Sequence, residues 1–449
     1  MSHKLPSIAK NIHIMRTAII LFFLLLSCSQ YLQAQPLYFP PLTGNTWETT
    51  SPQSLDWCID KIDSLYAYLD ATNTKGFILL KDGKIVLEKY FGSFTQDSLW
   101  YWASAGKTMT AFLVGIAQQE ALLNIHQPSA TFLGNGWTSA PPEKEQLITI
   151  RHQLTMTTGL DDGVANNDCT DPSCLQYIAD AGERWAYHNA PYTLLDGVIA
   201  GASGQSLNTF FASHVRNKIG MNGAYIPVAD NNVLFSTPRS MARFGLLLLN
   251  KGKWGNTDVL SDTAYFQAMT NTSQNLNPSY GYLTWLNGKN AIMVPGSQIV
   301  FPVSLCPPAS PDMFAAMGKN GQLINVVPSK NLVMIRMGNI PDNSFVPFAY
   351  QDEIWVRLNE IICSPSAVYD TPILADAVLY PNPSTHFINI QTNQNLPDGK
   401  LFVYDVLGTV YSIDIHGKQF STTHLPKGIY FLPIKNEQQV AYKSFTVVR

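Results

Sequence analysis

The chain has 449 residues, of which 46% are hydrophobic and 14% charged, with a formal net charge of −3. This apolar content supplies a large core and excludes disorder as the dominant state, and the length suits about two or three domains. There is no run of basic residues, so nucleic acid finds no electrostatic footprint.

Lys4, Lys10 and Arg16 precede an apolar stretch at residues 18–26, and Leu32-Gln33-Ala34 closes the segment. This basic, apolar, small-residue order predicts a secretory signal over residues 1–34, cleaved after Ala34. The apolar run of about nine residues is short of the roughly 20 that a spanning helix needs. Leu25-Leu-Ser-Cys28 is a loose lipobox, so lipidation at Cys28 is the rival reading. No second apolar run could span a bilayer, and the mature chain is expected to carry no membrane span.

Without Cys28, five cysteines remain: Cys58, Cys169, Cys174, Cys306 and Cys363. Cys169-Thr-Asp-Pro-Ser-Cys174 is polar and turn-rich, and in an oxidising compartment it predicts a local disulfide. A metal clip is the alternative, but neither His nor a second close Cys pair sits nearby. With three cysteines left over, at least one is unpaired within the chain.

Further along, Phe77-Ile-Leu-Leu80, a Lys81-Asp-Gly-Lys84 turn and Ile85-Val-Leu87 read as a hairpin, with Asp-Gly supplying the turn. Met109, Phe112, Leu113, Ile116 and Ala117 form one apolar stripe at helical spacing, with Ser104 at or near the first turn. A second helix spans about residues 238–250, capped by Thr237, opened by Pro238 and followed by Gly252. Residues 322–327 and 332–337 are strands around Pro328-Ser-Lys-Asn331, and residues 354–362 form a closing helix. A proline-containing linker follows at 364–377. Residues 378–449 alternate short β-rich runs with Gly, Pro and Asn turns, which predicts a small all-β sandwich of about seven strands.

Three separated stretches carry chemistry. In Ser104-Ala-Gly-Lys107, residues i and i+3 share a helix face, so the amine can reach the hydroxyl. A serine at a helix N-terminus also meets unpaired N–H groups and the positive dipole end, both of which favour a forming oxyanion. Alone this is weak, since Ser-x-x-Lys arises by chance. The second stretch is Glu183-Arg-Trp-Ala-Tyr187-His188-Asn189, and the third is Ala315-Ala-Met-Gly318-Lys319-Asn320-Gly321-Gln322. Singly, Tyr187 is any tyrosine and Lys319 a turn residue.

In that order the three resemble the serine β-lactamase and penicillin-binding-protein superfamily, across about residues 55–362. The branch looks like class C β-lactamases, secreted esterases and 6-aminohexanoate-dimer hydrolases, in which Tyr-x-Asn replaces Ser-Asp-Asn. Ile148-Thr-Ile-Arg-His-Gln-Leu-Thr-Met-Thr-Thr-Gly159 and Ser240-Met-Ala-Arg-Phe-Gly-Leu-Leu-Leu-Leu-Asn-Lys-Gly252 are also similar to family segments. The resemblance implies an α/β (α+β) domain over residues 36–363, with an antiparallel sheet flanked by helices, a helical lobe and the site between them. It also suggests pairing of Cys58 with Cys363.

The resemblance assigns roles. Ser104 would attack a carbonyl and form an acyl-enzyme, after a base takes its proton. Lys107 could serve if desolvated, and Tyr187 would relay the proton; which of them is the base stays open. Asn189 would hold the Lys107 amine or the substrate, and His188 would point away. Lys319-Asn320-Gly321 departs from the family's Lys-Thr-Gly, His-x-Gly or Trp-Gly-Gly. One amide of the 319–322 turn is expected to join Ser104 in an oxyanion hole, so Lys319, Gly321 and Gln322 are candidates for substrate or oxyanion binding. Residues 295–312 are expected in the cleft wall.

Leu379-Tyr-Pro-Asn-Pro383, Val403-Tyr-Asp-Val-Leu-Gly408 and Lys427-Gly-Ile-Tyr-Phe431 resemble the type IX secretion sorting domain, over residues 378–449. This implies gram-negative cargo passing through the periplasm to the surface or beyond, and it weakens the lipobox; a binding module is the alternative. The expected protein is a secreted serine hydrolase acting on an amide or ester, with no metal or organic cofactor, since no histidines sit at ligand spacing. The alternatives are a β-lactamase or D,D-peptidase, and a non-catalytic peptidoglycan-binding or receptor domain.

Overall fold

A computed structural model of the chain describes residues 37–341, 347–363, 378–391, 398–405, 410–435 and 440–448. The expected signal and linker lie outside these residues. The chain divides into two compact units, Met1–Ile361 and Ile362–Arg449.

The first unit is built on a six-stranded sheet. It begins after helix α1 (Ile62–Ala71) with β1 (Thr74–Lys81) and β2 (Lys84–Tyr90). The hairpin forms where expected, because Asp82 and Gly83 both accept positive φ, at 51° and 83°. β3 (Trp100–Tyr101) belongs to a separate three-stranded sheet with β4 (Ala224–Val228) and β5 (Asn231–Ser236), in the order β3-β5-β4. The large sheet is completed by β6 (Trp285–Leu286), β7 (Phe314–Gly318), β8 (Gln322–Val327) and β9 (Leu332–Gly338). Its order is β2-β1-β9-β8-β7-β6, antiparallel throughout.

Strands β8 and β9 are buried at every residue, so their apolar runs serve two faces. Asn325 shows what the second face meets. Its side chain donates to Gln351 Oε1 (2.9 Å) and accepts from Trp355 Nε1 (2.8 Å), both on the closing helix Phe348–Ile362. That helix starts six residues earlier than expected, because buried Gln351 and the Tyr350 ring serve as core-facing positions within a polar-looking stretch.

The central helix α2 (Gly106–Gln119) is buried from Gly106 to Ala117, so its apolar stripe widens to the whole circumference. Helices α3 (Asn189–Thr193) and α4 (Leu195–Ser203) belong to the helical lobe, whose small core gathers Trp137, Ile148, Leu160, Leu175 and Ala190. The helix Pro238–Leu249 forms as the capping signals require, with Thr237 accepting from the Ser240 amide.

Cys169 and Cys174 form a disulfide, and Cys58 pairs with Cys363. Cys306 is the buried free thiol, held well above the usual thiol range by burial and by Asp352.

The second unit has seven strands: Val378–Tyr380, Phe387–Gln391, Gly399–Asp405, Val410–His416, Gln419–Ser421, Gly428–Lys435 and Val440–Val447. Each paired neighbour runs antiparallel. Alternation points Ile388, Ile390, Ile413 and Ile415 inward onto Phe420 and Phe445, and this one core fills the unit. Among the described residues, no helix is long and apolar enough to cross a membrane.

Candidate active site

Ser104 sits in a single 3-10 turn, Ala103–Ala105, that feeds directly into α2. The approach is anchored by Trp102, whose amide donates to Leu234 O (2.8 Å) and whose indole donates to Ser236 Oγ (2.8 Å). Ala103 takes a φ of 46°, a conformation that costs a residue with a Cβ and that the anchored neighbours enforce. The sharp bend presents Ser104 at the mouth of a cavity of about 450 Å³.

Lys107 stands one turn along, as the i, i+3 spacing predicts. Its Nζ lies 3.2 Å from Ser104 Oγ and donates to Asn189 Oδ1 at 2.8 Å. The Tyr192 ring covers it at 3.9 Å and the Tyr187 ring at 5.2 Å, and Lys107 as a residue is only 3% exposed. Burial lowers its pKa from 10.5 to about 7, against the upward pull of Asp168 and Asp196. The lysine makes no ion pair among the described residues.

Tyr187 closes the other side. Burial holds its phenol above the ordinary pKa, with the neighbouring Ser104 pulling the other way. Its ring stacks on Trp285 at 5.8 Å and meets Tyr280 edge-on at 6.3 Å. Asn189 begins α3, and its amide donates to Asn167 Oδ1 at 3.0 Å. Asn167 also accepts the Ala190 amide on its carbonyl (3.1 Å), so the loop at 161–176 grips the segment from below.

The third stretch divides. β7 ends beside the serine: a Cβ on Gly318 would fall 3.0 Å from the Ser104 nitrogen and 2.6 Å from Trp102 O, so only glycine lets the strand approach. Lys319 lines the cavity. Gly321 and Gln322 do not, because the turn reverses the chain before them. A Cβ on Gly321 would meet the Arg336 guanidinium at 2.6 Å. The buried Gln322 side chain donates to Gly338 O (2.6 Å) and accepts the Gly338 amide (3.0 Å). These two residues therefore build the turn and do not face the substrate space.

The turn is tied down by Arg336, a fully buried guanidinium on β9. It donates to the carbonyls of Asn320, Gly321 (3.1 Å), Asn339 (3.2 Å) and Thr72 (2.8 Å), and to Thr74 Oγ1 (3.1 Å). The Asn320 side chain donates to the hydroxyl of Tyr101, itself on the cavity wall. Sequence reasoning misses Arg336, because nothing local marks a strand arginine as a clasp for a turn.

It also misses Asp168, Tyr192, Trp285, Asn232 and Phe235, which line the same cavity. Tyr192 had a signal, since it lies i+3 from Asn189 on a short helix; the others arrive only by tertiary folding. Asp196 accepts from Asn232 (2.7 Å), and burial raises its pKa to about 7. His188 is buried away from the cavity, where desolvation lowers its pKa to about 4 and keeps it neutral. Residues 295–312 do not line the cavity either; Gln298 donates to Trp185 O (3.0 Å), behind Tyr187.

Comparison with known proteins agrees with this arrangement. Residues 71–352 match the Beta-lactamase family, and residues 378–448 match the Secretion system C-terminal sorting domain. An uncharacterized protein of Alkalihalophilus pseudofirmus is 24% identical over 309 residues, covering 60% of this chain and 85% of its own. A structure described as a 6-aminohexanoate-dimer hydrolase from Bacillus anthracis superposes with a TM-score of 0.54 at 17% identity, covering 72% of this chain and 89% of that one. A penicillin-binding protein homolog from Caulobacter crescentus gives 0.53 at 13% identity, covering 69% and 98%. At such identities these two structures speak for the fold.

The chain belongs to the beta-lactamase family of serine hydrolases, alongside the penicillin-binding proteins. Its sorting domain makes it a secreted hydrolase, sent through the type IX machinery to the surface or outside of a gram-negative cell.

Proposed function

We propose that the protein hydrolyses a linear amide, a D-amino-acid peptide or a carboxylic ester through an acyl-enzyme on Ser104. One observation carries the reading: a buried lysine without a carboxylate partner lies 3.2 Å from a serine at the start of the central helix. Lys107 is the better base of the two candidates. Its amine is neutral in about half the molecules near pH 7, whereas the Tyr187 phenol is held protonated.

In this reading the Ser104 proton passes to Lys107 as Oγ bonds the carbonyl carbon. The Ser104 amide and a backbone amide at the Gly318–Lys319 end of β7 receive the oxyanion. The carbon–nitrogen or carbon–oxygen bond then breaks, and the leaving group takes its proton from Lys107 by way of Tyr187. Water, deprotonated by the same pair, cleaves the acyl ester and returns Ser104. No cofactor takes part in these steps.

The Lys319-Asn320-Gly321 turn supports an amidase or esterase over a β-lactamase, since it departs from Lys-Thr-Gly. A second reading, as a β-lactamase or D,D-peptidase, draws on Lys319, a cation on the cavity wall that suits a substrate carboxylate.

The test is intact mass after incubation with a fluorophosphonate. The parent is expected to gain one adduct and Ser104→Ala none. No adduct on a folded parent overturns the enzyme reading in favour of a non-catalytic binding domain. Panels of p-nitrophenyl esters, linear amides and a chromogenic cephalosporin then separate the substrate classes.

A further inference from the structure

A second cavity, of about 230 Å³, lies on the far face of two strands that wall the active site. Successive residues of a strand point to opposite faces. Trp285 of β6 therefore lines the catalytic cavity while Leu286 lines the second, and on β7 Met317 and Phe314 divide in the same way. Leu286 and Phe314 are direct cross-strand partners, so together they form an apolar floor. Leu248 and Leu249, at the end of the helix Pro238–Leu249, and Phe266 add to it.

The polar side chains around this floor are spent, with two exceptions. Asn287 donates to the carbonyls of Cys306 (2.8 Å), Ala309 (3.2 Å) and Ser310 (3.0 Å) and accepts the Cys306 amide (2.9 Å). Thr270 donates to Phe266 O (2.9 Å), and Asn271 to Gln267 O (2.9 Å). Asp312, the one acid of the lining, accepts the Ser329 amide (2.6 Å) on one oxygen and the Ser329 hydroxyl (2.8 Å) on the other. The exceptions are Lys251 and Lys289, which make no salt bridge and no side-chain hydrogen bond among the described residues. Lys251 also holds a φ of 55°, a left-handed conformation that glycine would adopt without strain.

Two unpaired cations beside an apolar floor match a ligand with an anionic head and a short aliphatic chain. A carboxylate head offers an oxygen to each ammonium. At about 30 Å³ for each water-sized group, the cavity has room for roughly eight such groups, the size of hexanoate. We propose that this cavity is a second ligand site, separate from the active site, for a short aliphatic carboxylate. Lys251 and Lys289 hold the head, and Leu286 and Phe314 pack against the chain. The site stands on its own residues and does not depend on the proposed acyl-enzyme chemistry.

The test is calorimetric titration of the full chain with hexanoate, acetate and hexanol. Hexanoate is expected to bind at least about tenfold more tightly than acetate, which lacks the chain, and than hexanol, which lacks the charge. In the double variant Lys251→Gln, Lys289→Gln the affinity for hexanoate is expected to fall at least about tenfold. In Lys319→Gln, which removes a cation from the catalytic cavity, it is expected to stay within about twofold. Hexanoate binding that is absent, that survives the double variant, or that is lost with Lys319 instead overturns the proposal, as do equal affinities for the three ligands.

Should the double variant fail to fold, acetylation of the unaltered chain, followed by peptide mass mapping, decides the question. Saturating hexanoate is expected to slow modification of Lys251 and Lys289 at least about threefold and to leave the exposed Lys61 unaffected. Equal rates with and without hexanoate at Lys251 and Lys289 overturn the proposal.

Discussion

The two units use burial differently. The catalytic unit buries Lys107, Arg336, Arg243, Gln322, Asn325 and Gln351. The sorting unit, among its described residues, buries only Ser384 and Thr422 as polar side chains beneath an aliphatic and aromatic core. A recognition module can be read from its surface and needs nothing costly inside. In the proposed mechanism the hydrolase needs an amine whose proton leaves near neutrality, and burial brings the Lys107 pKa down to about 7.

The largest expected effect comes from removing that amine. Lys107→Met is expected to lower kcat/KM by about a thousandfold or more, as for loss of a base that activates a nucleophile. The same variant is expected to melt at a higher temperature at about pH 6. The sign follows from the lowered pKa: the folded chain resists protonation that the unfolded chain accepts, so the penalty is full below about 7, shrinks as pH rises and is gone above about 10.5. A lower melting temperature for this variant, measured by calorimetry, would break the contrast between the units.

Arg336→Met is expected to cost about tenfold to a hundredfold in kcat, through displacement of the turn that carries Lys319, and to lower the melting temperature as well. It separates the two kinds of buried charge, Arg336 as the clasp of a turn and Lys107 as the proposed base. A pH profile refines this: kcat/KM is expected to fall about tenfold per unit below about pH 7 in the parent, and to keep that midpoint in Arg336→Met. The smallest effect on hydrolysis is expected in the sorting unit. Phe445→Ala removes a fully buried ring at a cost of about 3–5 kcal/mol to that unit, leaves ester or amide turnover within about twofold, and reduces the fraction exported, measured by cell fractionation.

Much of this was readable in one dimension because the chemistry is partly local. Ser104 and Lys107 meet through helical spacing, and the β1–β2 hairpin and the Thr237 cap follow from backbone preferences at single residues. What escaped depends on chain reversals and distant strands. Gly321 and Gln322 stand beside Lys319 in sequence, but the turn at Asn320, with a φ of 62°, sends them to the far side. Arg336, Trp285 and Asp168 come to the site from three distant segments, and no periodicity announces them. The closing helix was undershot because Gln351 looks solvated until Asn325 is found across from it.

The Cys169–Cys174 bond has a consequence for timing. Thiols in a bacterial cytoplasm are kept reduced, and the bond forms only after the chain has crossed into an oxidising compartment. The covalent ring that closes Cys169 onto Cys174, directly after Asn167 and Asp168, is then a product of transit. A newly made chain carries the serine and the lysine from birth, but the wall facing them acquires its clasp on the way out.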